Sequence, residues 1–182
     1  MFRTKRNPRD QKPDDERIIG DVEKARERTM NRAVKLLAAK PRSIGELRER
    51  LLDKNWTNAA IVDRVFAKLE EYKYLDDKQF ASDLAVSKLR QKPQGKRRLL
   101  QSLSTKKLSK ENVETAIKNA FEQLPEADLI DRAIEKRLRL RGKPETLDDK
   151  KKFFDHLLRQ GFDFTLIREK MAEVAKVEFP ME

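Results

Sequence analysis

The chain has 182 residues, of which 37% are apolar and 41% are charged, and its formal net charge at pH 7 is +11. It has no cysteine, which excludes disulfides and thiol chemistry, and no apolar run approaches the roughly 18 residues of a membrane span. No signal-peptide core follows Met1. We expect a soluble cytoplasmic protein whose partner is a polyanion or an acidic protein surface.

The chain begins with a polar arm followed by a helix. Residues 1–17 carry two prolines and mixed charges, and we expect them to form a disordered arm. A helix is predicted over residues 21–39. The pair Lys40-Pro41 ends this helix, because the residue before a proline avoids the helical region of backbone conformation.

The next stretch has the apolar spacing of two short helices joined by a turn. Ser43 and Glu46 form a capping box at the start of the first helix, residues 43–53. Thr57 can cap the second, residues 57–74, by accepting a hydrogen bond from one of its free N–H groups. The apolar residues, separated by 4, 5, 5, 4 and 4 positions, are Leu47, Leu51, Trp56, Ile61, Val65 and Leu69.

The same spacing recurs twice, 52 and then a further 54 residues along the chain, which indicates an internal repeat of helical units. The second copy consists of Leu99, Leu103, Leu108, Val113, Ile117 and Phe121. The third consists of Phe153, Leu157, Phe162, Ile167, Met171 and Ala175. The predicted caps recur as Ser109 and Asp163. The residue before the apolar residue of each turn is expected to adopt the left-handed backbone conformation, which Asn and Gly tolerate well and Lys tolerates poorly. These positions are Asn55, Lys107 and Gly161.

Each copy also includes a preceding helix that ends at a Lys-Pro pair, at residues 40–41, 92–93 and 143–144. The third pair stands three residues further from its copy than the others do, which predicts about one additional turn in the helix that follows. The prediction is an all-α protein, an elongated tandem array of three three-helix units that resemble helix-turn-helix motifs. The predicted units are residues 18–75, 76–125 and 126–182.

Positive charge is concentrated in the second predicted unit, where 11 basic and 6 acidic residues give +5, whereas the third unit has 13 of each. Arginine and lysine at its two breaks could contact phosphates or carboxylates. These candidate partner- or DNA-binding residues are Lys88, Arg90, Lys92, Lys96, Arg97, Arg98, Lys106, Lys107 and Lys110. A similar run in the third unit includes Arg137 and Arg141, but nearby acids are expected to cancel its field. The competing interpretation of any single cluster is a solvated helix surface.

Catalytic and metal-binding groups are poorly represented. His156 is the only histidine, and it is expected at the surface or at its boundary. The pairs Asp76-Asp77 and Asp148-Asp149 stand where helices begin, so they are expected to complement helix dipoles rather than to bind metal. There is no His/Cys cluster and no Gly-rich phosphate loop. We expect no enzyme, no cofactor and no metal site, and a monomer.

The aromatic residues have structural and functional interpretations. Trp56 is expected in the core, because apolar residues fill its position in the other copies. Tyr72 and Tyr74 are expected to close the joint between the first two units rather than to stack on bases. Sequence-specific readout by a helix-turn-helix is a weak prediction, because Asp63 would oppose phosphate. The exposed candidates on that helix are Asn58, Asp63, Arg64 and Lys68.

Two groups of motifs carry a family resemblance that covers about residues 33–174. The first is Ser43-x-x-Glu46-Leu47-x-x-Arg50-Leu51, with Ile61, Val65 and Leu69. The second is Leu75-Asp76-Asp77-x-x-Phe80-Ala81, then Arg90, Gly95-x-x-Arg98-Leu99 and Leu103. In this order they resemble the RecX family of regulatory proteins. Asn55 and Lys107 depart from it, since they stand where a glycine is common, and Gln101-Ser102-Leu103 lacks the usual acidic residue.

The resemblance implies binding to the RecA recombinase, generally as a filament on single-stranded DNA, and no active site. It implies restraint of RecA's ATP hydrolysis, strand exchange and filament growth, in recombination, DNA repair and the SOS response. Single- or double-stranded DNA is a further candidate partner. Reversing the charge of Arg90, Lys96, Arg97 and Arg98 together is predicted to weaken inhibition. The alternative is a nonspecific basic nucleic-acid-binding helical module without a RecA partner, whose affinity would fall steeply with salt.

Overall fold

The structure is a computed structural model that describes the backbone of residues 17–176 and the side chains of residues 17–173. These residues form nine α-helices and no strand, which confirms the all-α repeat. The helices are α1 (Val22–Ala39), α2 (Ile44–Leu52), α3 (Ala59–Glu71), α4 (Asp77–Gln91), α5 (Lys96–Ser104), α6 (Lys110–Gln123), α7 (Glu126–Arg141), α8 (Leu147–Arg159) and α9 (Phe164–Lys176). Residues 1–16 of the predicted arm and the side chain of Ala175 lie outside the described residues. Within residues 17–176, no helix is both long enough and apolar enough to cross a membrane.

The chain forms two compact units, of which unit 1 ends at Asp77 and unit 2 begins at Lys78. Helices α1, α2 and α3 bury their apolar residues in the core of unit 1. In unit 2, the residues of α4 to α9 share one continuous apolar core. The sequence predicts three units, and the division of unit 2 at residue 125 stays a prediction, since its six helices bury a single apolar cluster.

The repeated apolar positions supply most of both cores, where burial of each large side chain contributes about 1.5–3 kcal/mol. The following of them are no more than 5% exposed: Leu47, Leu51, Ile61, Val65, Leu69, Leu99, Leu103, Val113, Ile117, Phe153, Leu157, Phe162 and Ile167. The positions that are only half-buried are Trp56, Leu108, Phe121 and Met171. The spacing therefore identifies the inward face of the second and third helix of each copy.

The helix ends follow the proline breaks closely. Helices α1, α4 and α7 each end one or two residues before a Lys-Pro pair. Helix α8 has 13 residues, whereas α2 and α5 have 9 each, which confirms the additional turn predicted from the late proline.

Three of the four predicted N-caps are confirmed. The side chains of Ser43 and Ser109 accept hydrogen bonds from the third residue after them, at 3.1 and 3.2 Å, and Asp163 Oδ1 accepts one from Thr165 N at 2.8 Å. Thr57 was the wrong residue. Asn58 caps α3 instead, and Thr57 is buried with its hydroxyl 3.0 Å from that of Thr29 in α1.

The wrong cap reflects a longer turn in the first copy. The connections within the three copies are residues 53–58, 105–109 and 160–163, which are six, five and four residues long. Lys107 and Gly161 adopt the predicted left-handed conformation, with φ of 54° and 86°, but Asn55 does not. A turn with one more residue reverses the chain without a left-handed residue at that position.

Two helices are capped at their N-termini by the first residue of a later helix. Asp77, which begins α4, accepts a hydrogen bond on Oδ1 from Ile44 N at the start of α2, at 2.8 Å. Glu126, which begins α7, accepts one on Oε1 from Lys96 N at the start of α5, at 3.1 Å. Burial raises the pKa of both carboxyl groups above the ordinary value. The repeat therefore includes a reach-back cap that sequence spacing does not reveal.

Candidate partner-binding site

Six of the nine candidate residues surround the short connection between α4 and α5. Lys88 and Arg90 lie in the last turn of α4, Lys92 lies in the connection, and the run from Lys96 to Arg98 forms the first turn of α5. Lys88 and Arg98 are half-buried, and the other four are exposed. The structure thus brings these residues together because only residues 92–95 separate the two helices.

The first turn of α5 is held in place by the turn between α8 and α9. Gly95 N donates to Gln160 O at 3.0 Å, and Arg97 N donates to Gly161 O at 3.3 Å. A Cβ atom on Gly95 would lie 2.2 Å from Gly161 O, and one on Gly161 would lie 2.4 Å from Arg98 N. Glycine is needed at both positions for this approach of two backbones, which fixes the base of the basic cluster.

Arg98 differs from its basic neighbours because the same turn holds its guanidinium group. Arg98 Nη1 donates to Arg159 O at 3.0 Å and to Gln160 Oε1 at 3.1 Å. These bonds give Arg98 a structural task within unit 2. Its predicted contact with a partner stays a prediction, but a variant at this position would disturb the fold as well as the charge.

The other three candidates lie at the opposite end of α5. Lys106 and Lys107 belong to the α5–α6 connection, and Lys110 begins α6, where its Nζ lies 3.8 Å from Glu114. Helix α5 has nine residues, so its two ends are roughly 13 Å apart at 1.5 Å per residue. The nine candidates therefore form two basic groups rather than one.

The structure also brings together basic residues whose field was expected to be cancelled. Arg137 and Arg141, one turn apart on α7, line a cleft in unit 2 together with Lys92 and Lys136. One acid of the same helix, Asp131, pairs with Lys170 of α9. No acidic residue is among those that line this cleft. The expected cancellation of the field of the whole run stays a prediction, and the i, i+4 spacing of the two arginines places them on one face of α7.

His156 lies on α8 at the wall of the same cleft, and it is half-buried as expected of a boundary histidine. Its pKa is lowered from the ordinary value, first by burial and then by the positive charges of Arg137, Arg159, Lys92 and Arg98. The imidazole therefore stands in a region of positive potential.

The aromatic residues do not have the predicted environments. Trp56 is half-buried rather than a core residue, and the Cζ atom of Arg28 lies 3.9 Å from the centroid of its ring. Tyr72 and Tyr74 are 55% and 66% exposed, which does not fit the packing role expected for them.

The helix-turn-helix and metal interpretations receive no support from the geometry. Asn58 is occupied as the cap of α3, and Asp63 forms an ion pair with Arg48, so two of the four readout candidates already have partners. At the start of α8, Thr146 accepts a hydrogen bond from Asp149 N at 3.1 Å, as expected for a cap. Within residues 17–173, no group of three histidine or acidic residues could hold a metal ion.

Comparison with known proteins gives matches over most of the chain. The family models for the first and second three-helix domains of RecX match residues 30–69 and 76–117. The regulatory protein RecX of Chlorobaculum tepidum is 32% identical over 141 residues, which cover 77% of this chain and 84% of that protein. That of Chlorobium limicola is 32% identical over 143 residues, covering 78% and 86%.

The fold agrees with these matches. The crystal structure of RecX from Lactobacillus salivarius superposes with a TM-score of 0.73 at 17% identity, covering 85% of this chain and 99% of that one. From its matched domains and relatives, the chain belongs to the RecX family of regulatory proteins.

Proposed function

We propose that this protein binds RecA filaments on single-stranded DNA and restrains their ATP hydrolysis, strand exchange and growth. Membership of the RecX family supports a regulatory role, and RecA is the partner that the sequence resemblance implies. The protein acts by contact with the filament rather than by converting a substrate.

The observation that carries the proposal is the fixed basic group at the α4–α5 connection. Arg90, Lys92, Lys96 and Arg97 are exposed there, while hydrogen bonds from Gly95 and Arg97 to the α8–α9 turn hold the backbone in place. A rigid positive surface favours an acidic partner surface, because complementary charge speeds association and fixes register. Contact with neighbouring RecA subunits through this surface would oppose the subunit movements that turnover requires.

The test is inhibition of RecA's DNA-dependent ATP hydrolysis by a triple charge-reversal variant. The variant carries Arg90→Glu, Lys96→Glu and Arg97→Glu, and it keeps Arg98 because that side chain holds the α8–α9 turn. We expect the concentration needed for half-maximal inhibition to rise about tenfold or more, the equivalent of about 1.4 kcal/mol of binding. Circular dichroism checks that the variant keeps its helices.

A matched control changes the same amount of charge elsewhere. Lys35, Lys118 and Arg168 are exposed and lie outside the candidate residues, and their replacement by glutamate should leave inhibition within twofold of the original value. Equal inhibition by the folded triple variant and the unchanged protein would reject this surface as the RecA contact.

A nonspecific nucleic-acid-binding module is the second candidate function, favoured by the net charge of +11. The same assay separates the two functions. Inhibition through competition for DNA disappears when more single-stranded DNA is added, whereas inhibition through the filament persists on DNA that stays coated with RecA. Inhibition that occurs only where RecA has been displaced from the DNA would therefore reject the RecA-binding proposal.

A further inference from the structure

Unit 2 contains a cleft of about 200 Å³ that the proposed RecA contact does not use, apart from Lys92 at its edge. Side chains of α7 and α8 and the connection after α4 line it. Its apolar lining consists of Pro93, Ala133 and Leu140, the last of which is 67% exposed. Such a surface can receive an apolar group of a ligand. The volume of the cleft is enough for one small anionic group and the chemical group bonded to it.

The charge around the cleft is of one sign. Lys92, Lys136, Arg137 and Arg141 all line it, and no acidic residue does. Within residues 17–173, none of these four forms an ion pair with a carboxylate that could neutralise it. Two acids of α7 and α8 have other partners, since Glu126 caps α5 and Asp148 pairs with Lys152. Like charges held this close without acids repel one another, so binding of an anion would relieve the repulsion.

Arg137 adds to the cleft a guanidinium group with one unsatisfied donor. Its Nε atom is buried, and among the described residues it has no hydrogen-bond partner. The Cζ atom of the same guanidinium lies 5.2 Å from the centroid of the Phe153 ring, which restricts its position. Burial, Arg141 and Arg159 lower the pKa of Arg137 from its ordinary value, although it remains protonated at neutral pH.

We propose that this cleft binds a phosphate group of single-stranded nucleic acid, with the adjoining sugar and base against Pro93, Ala133 and Leu140. A single carboxylate from a protein would leave most of the four cations without a partner. A nucleic-acid strand instead places one charge on every nucleotide, next to an apolar sugar and base. The arginine forks match phosphate oxygens, and the proposal does not depend on RecA.

The site is tested by fluorescence anisotropy in the absence of RecA. The probe is a fluorescent oligothymidylate of fifteen nucleotides. The variant carries Lys92→Gln, Lys136→Gln and Arg141→Gln, three exposed positions whose replacement leaves the core intact. We expect affinity to fall about tenfold or more and the slope of log affinity against log salt to decrease by about 2, at roughly 0.7 per lost contact. The control replaces Lys35, Lys118 and Arg168 by glutamine and should retain affinity within twofold.

Two results of this assay would overturn the proposal. One is equal affinity of the folded cleft variant and the control. The other is displacement of the oligonucleotide by poly-glutamate as readily as by unlabelled oligothymidylate at the same charge concentration, which would assign the cleft to protein carboxylates.

His156 provides a direct probe, because a single histidine gives a single pair of imidazole signals in the NMR spectrum. The charged groups that face it are Lys92 from the connection, Arg98 from α5, Arg137 from α7 and Arg159 from its own helix. All are positive, so a bound phosphate should raise the pKa of His156, by about half a unit or more. Linkage then requires binding to tighten as pH falls through the pKa of His156, by up to about threefold for a shift of half a unit.

The NMR titration compares the free protein with the protein saturated by oligothymidylate, and inorganic phosphate is used as a second probe. A rise in the pKa of His156 on saturation with the oligonucleotide supports the site, whether or not inorganic phosphate also produces that rise. An unchanged His156 pKa at saturation contradicts the proposal, and it leaves the RecA proposal unaffected.

Discussion

The turn between α2 and α3 in unit 1 and the turn between α8 and α9 in unit 2 have the same place in the repeat, but different groups close them. In unit 1, Arg17 Nη1 donates to the carbonyl oxygens of Leu52 and Lys54, at 2.7 and 3.0 Å. In unit 2, the backbone N–H groups of Gly95 and Arg97 donate to Gln160 and Gly161. The first turn depends on an arginine side chain, whereas the second depends on another backbone together with the side chain of Arg98, whose Nη1 donates to Arg159 O.

The difference shows how one apolar template accommodates turns of different length. The four-residue turn needs Gly161 in a left-handed conformation, and its small size admits the neighbouring backbone. The six-residue turn has no glycine, and an arginine reaches the carbonyl groups that a helix end leaves without partners. In both turns, backbone carbonyl groups accept the closing hydrogen bonds, so these contacts can be tested by substitution.

The largest expected effect concerns the apolar residue of each turn. Phe162 is fully buried, so Phe162→Ala should lower the free energy of unfolding by about 3–5 kcal/mol. Trp56 is half-buried beneath Arg28, so Trp56→Ala should cost only about 1–2 kcal/mol. Urea unfolding followed by circular dichroism measures both. Equal losses for the two variants would contradict the contrast between the turns.

Glycine replacement tests the backbone contact in unit 2. Gly161→Ala combines a φ of 86° with a Cβ atom 2.4 Å from Arg98 N, so we expect a loss of about 3 kcal/mol. Gly20→Ala is the matched control, since its Cβ would meet nothing within 4 Å, and its effect should stay within about 0.5 kcal/mol. Urea midpoints that agree for the two variants would show that the close approach is not needed for stability.

Removal of the arginine tests the side-chain contact in unit 1. Arg17→Ala leaves the carbonyl groups of Leu52 and Lys54 without their charged donor, and we expect a loss of about 1.5 kcal/mol. Arg26→Ala removes only an exposed ion pair with Glu23 and should cost less than about 0.5 kcal/mol. The fluorescence of Trp56, the only tryptophan, reports unfolding of this region during the urea titration.

The smallest effect tests a feature that the two regions share, the reach-back caps Asp77 and Glu126. Asp77→Ala should cost about 1 kcal/mol at pH 7, as removal of a cap does, whereas Asp77→Asn keeps an acceptor oxygen and should cost less. Measured by urea unfolding, a loss for Asp77→Asn as large as that for Asp77→Ala would contradict a capping role.

The same carboxyl groups predict a pH dependence. Burial raises the pKa of each group in the folded state. At a pH between the unfolded-state pKa and the raised folded-state pKa of a group, the folded protein therefore binds more protons than the unfolded protein does. Their contribution to stability therefore decreases as pH rises from about the ordinary values, 3.8 and 4.5, through the raised ones. The double variant Asp77→Asn, Glu126→Gln should flatten this decrease, and an unchanged pH profile would show that the groups are not perturbed.

Sequence spacing predicts the helices and most of the core because both depend on local periodicity. It misplaces the cap of α3 because Thr57 and Asn58 are both good caps, and because Val62 and Phe66 are buried beside Ile61 and Val65, so the apolar pattern does not fix the first residue of the helix. The length of a turn between two such faces therefore cannot be inferred from spacing alone.

The candidate site is only partly predictable for a different reason. The basic group beside α5 is contiguous in sequence, so composition reveals it. The cleft combines Lys92 with Arg137 and Arg141, and the net charge of residues 126–182 is zero because it averages over all faces of α7, α8 and α9. Only tertiary packing brings Lys92, which lies 45 residues before Arg137 in the sequence, to the same cleft as the two arginines.

The reach-back caps have a consequence for synthesis of the chain on the ribosome. The N-terminus of α2 receives its carboxylate only when Asp77 has emerged, and that of α5 only when Glu126 has emerged. A nascent chain cut after Leu75 or after Pro125 therefore presents an incomplete helix end. These two hydrogen bonds can therefore form only after the helix that supplies the carboxylate has begun to emerge.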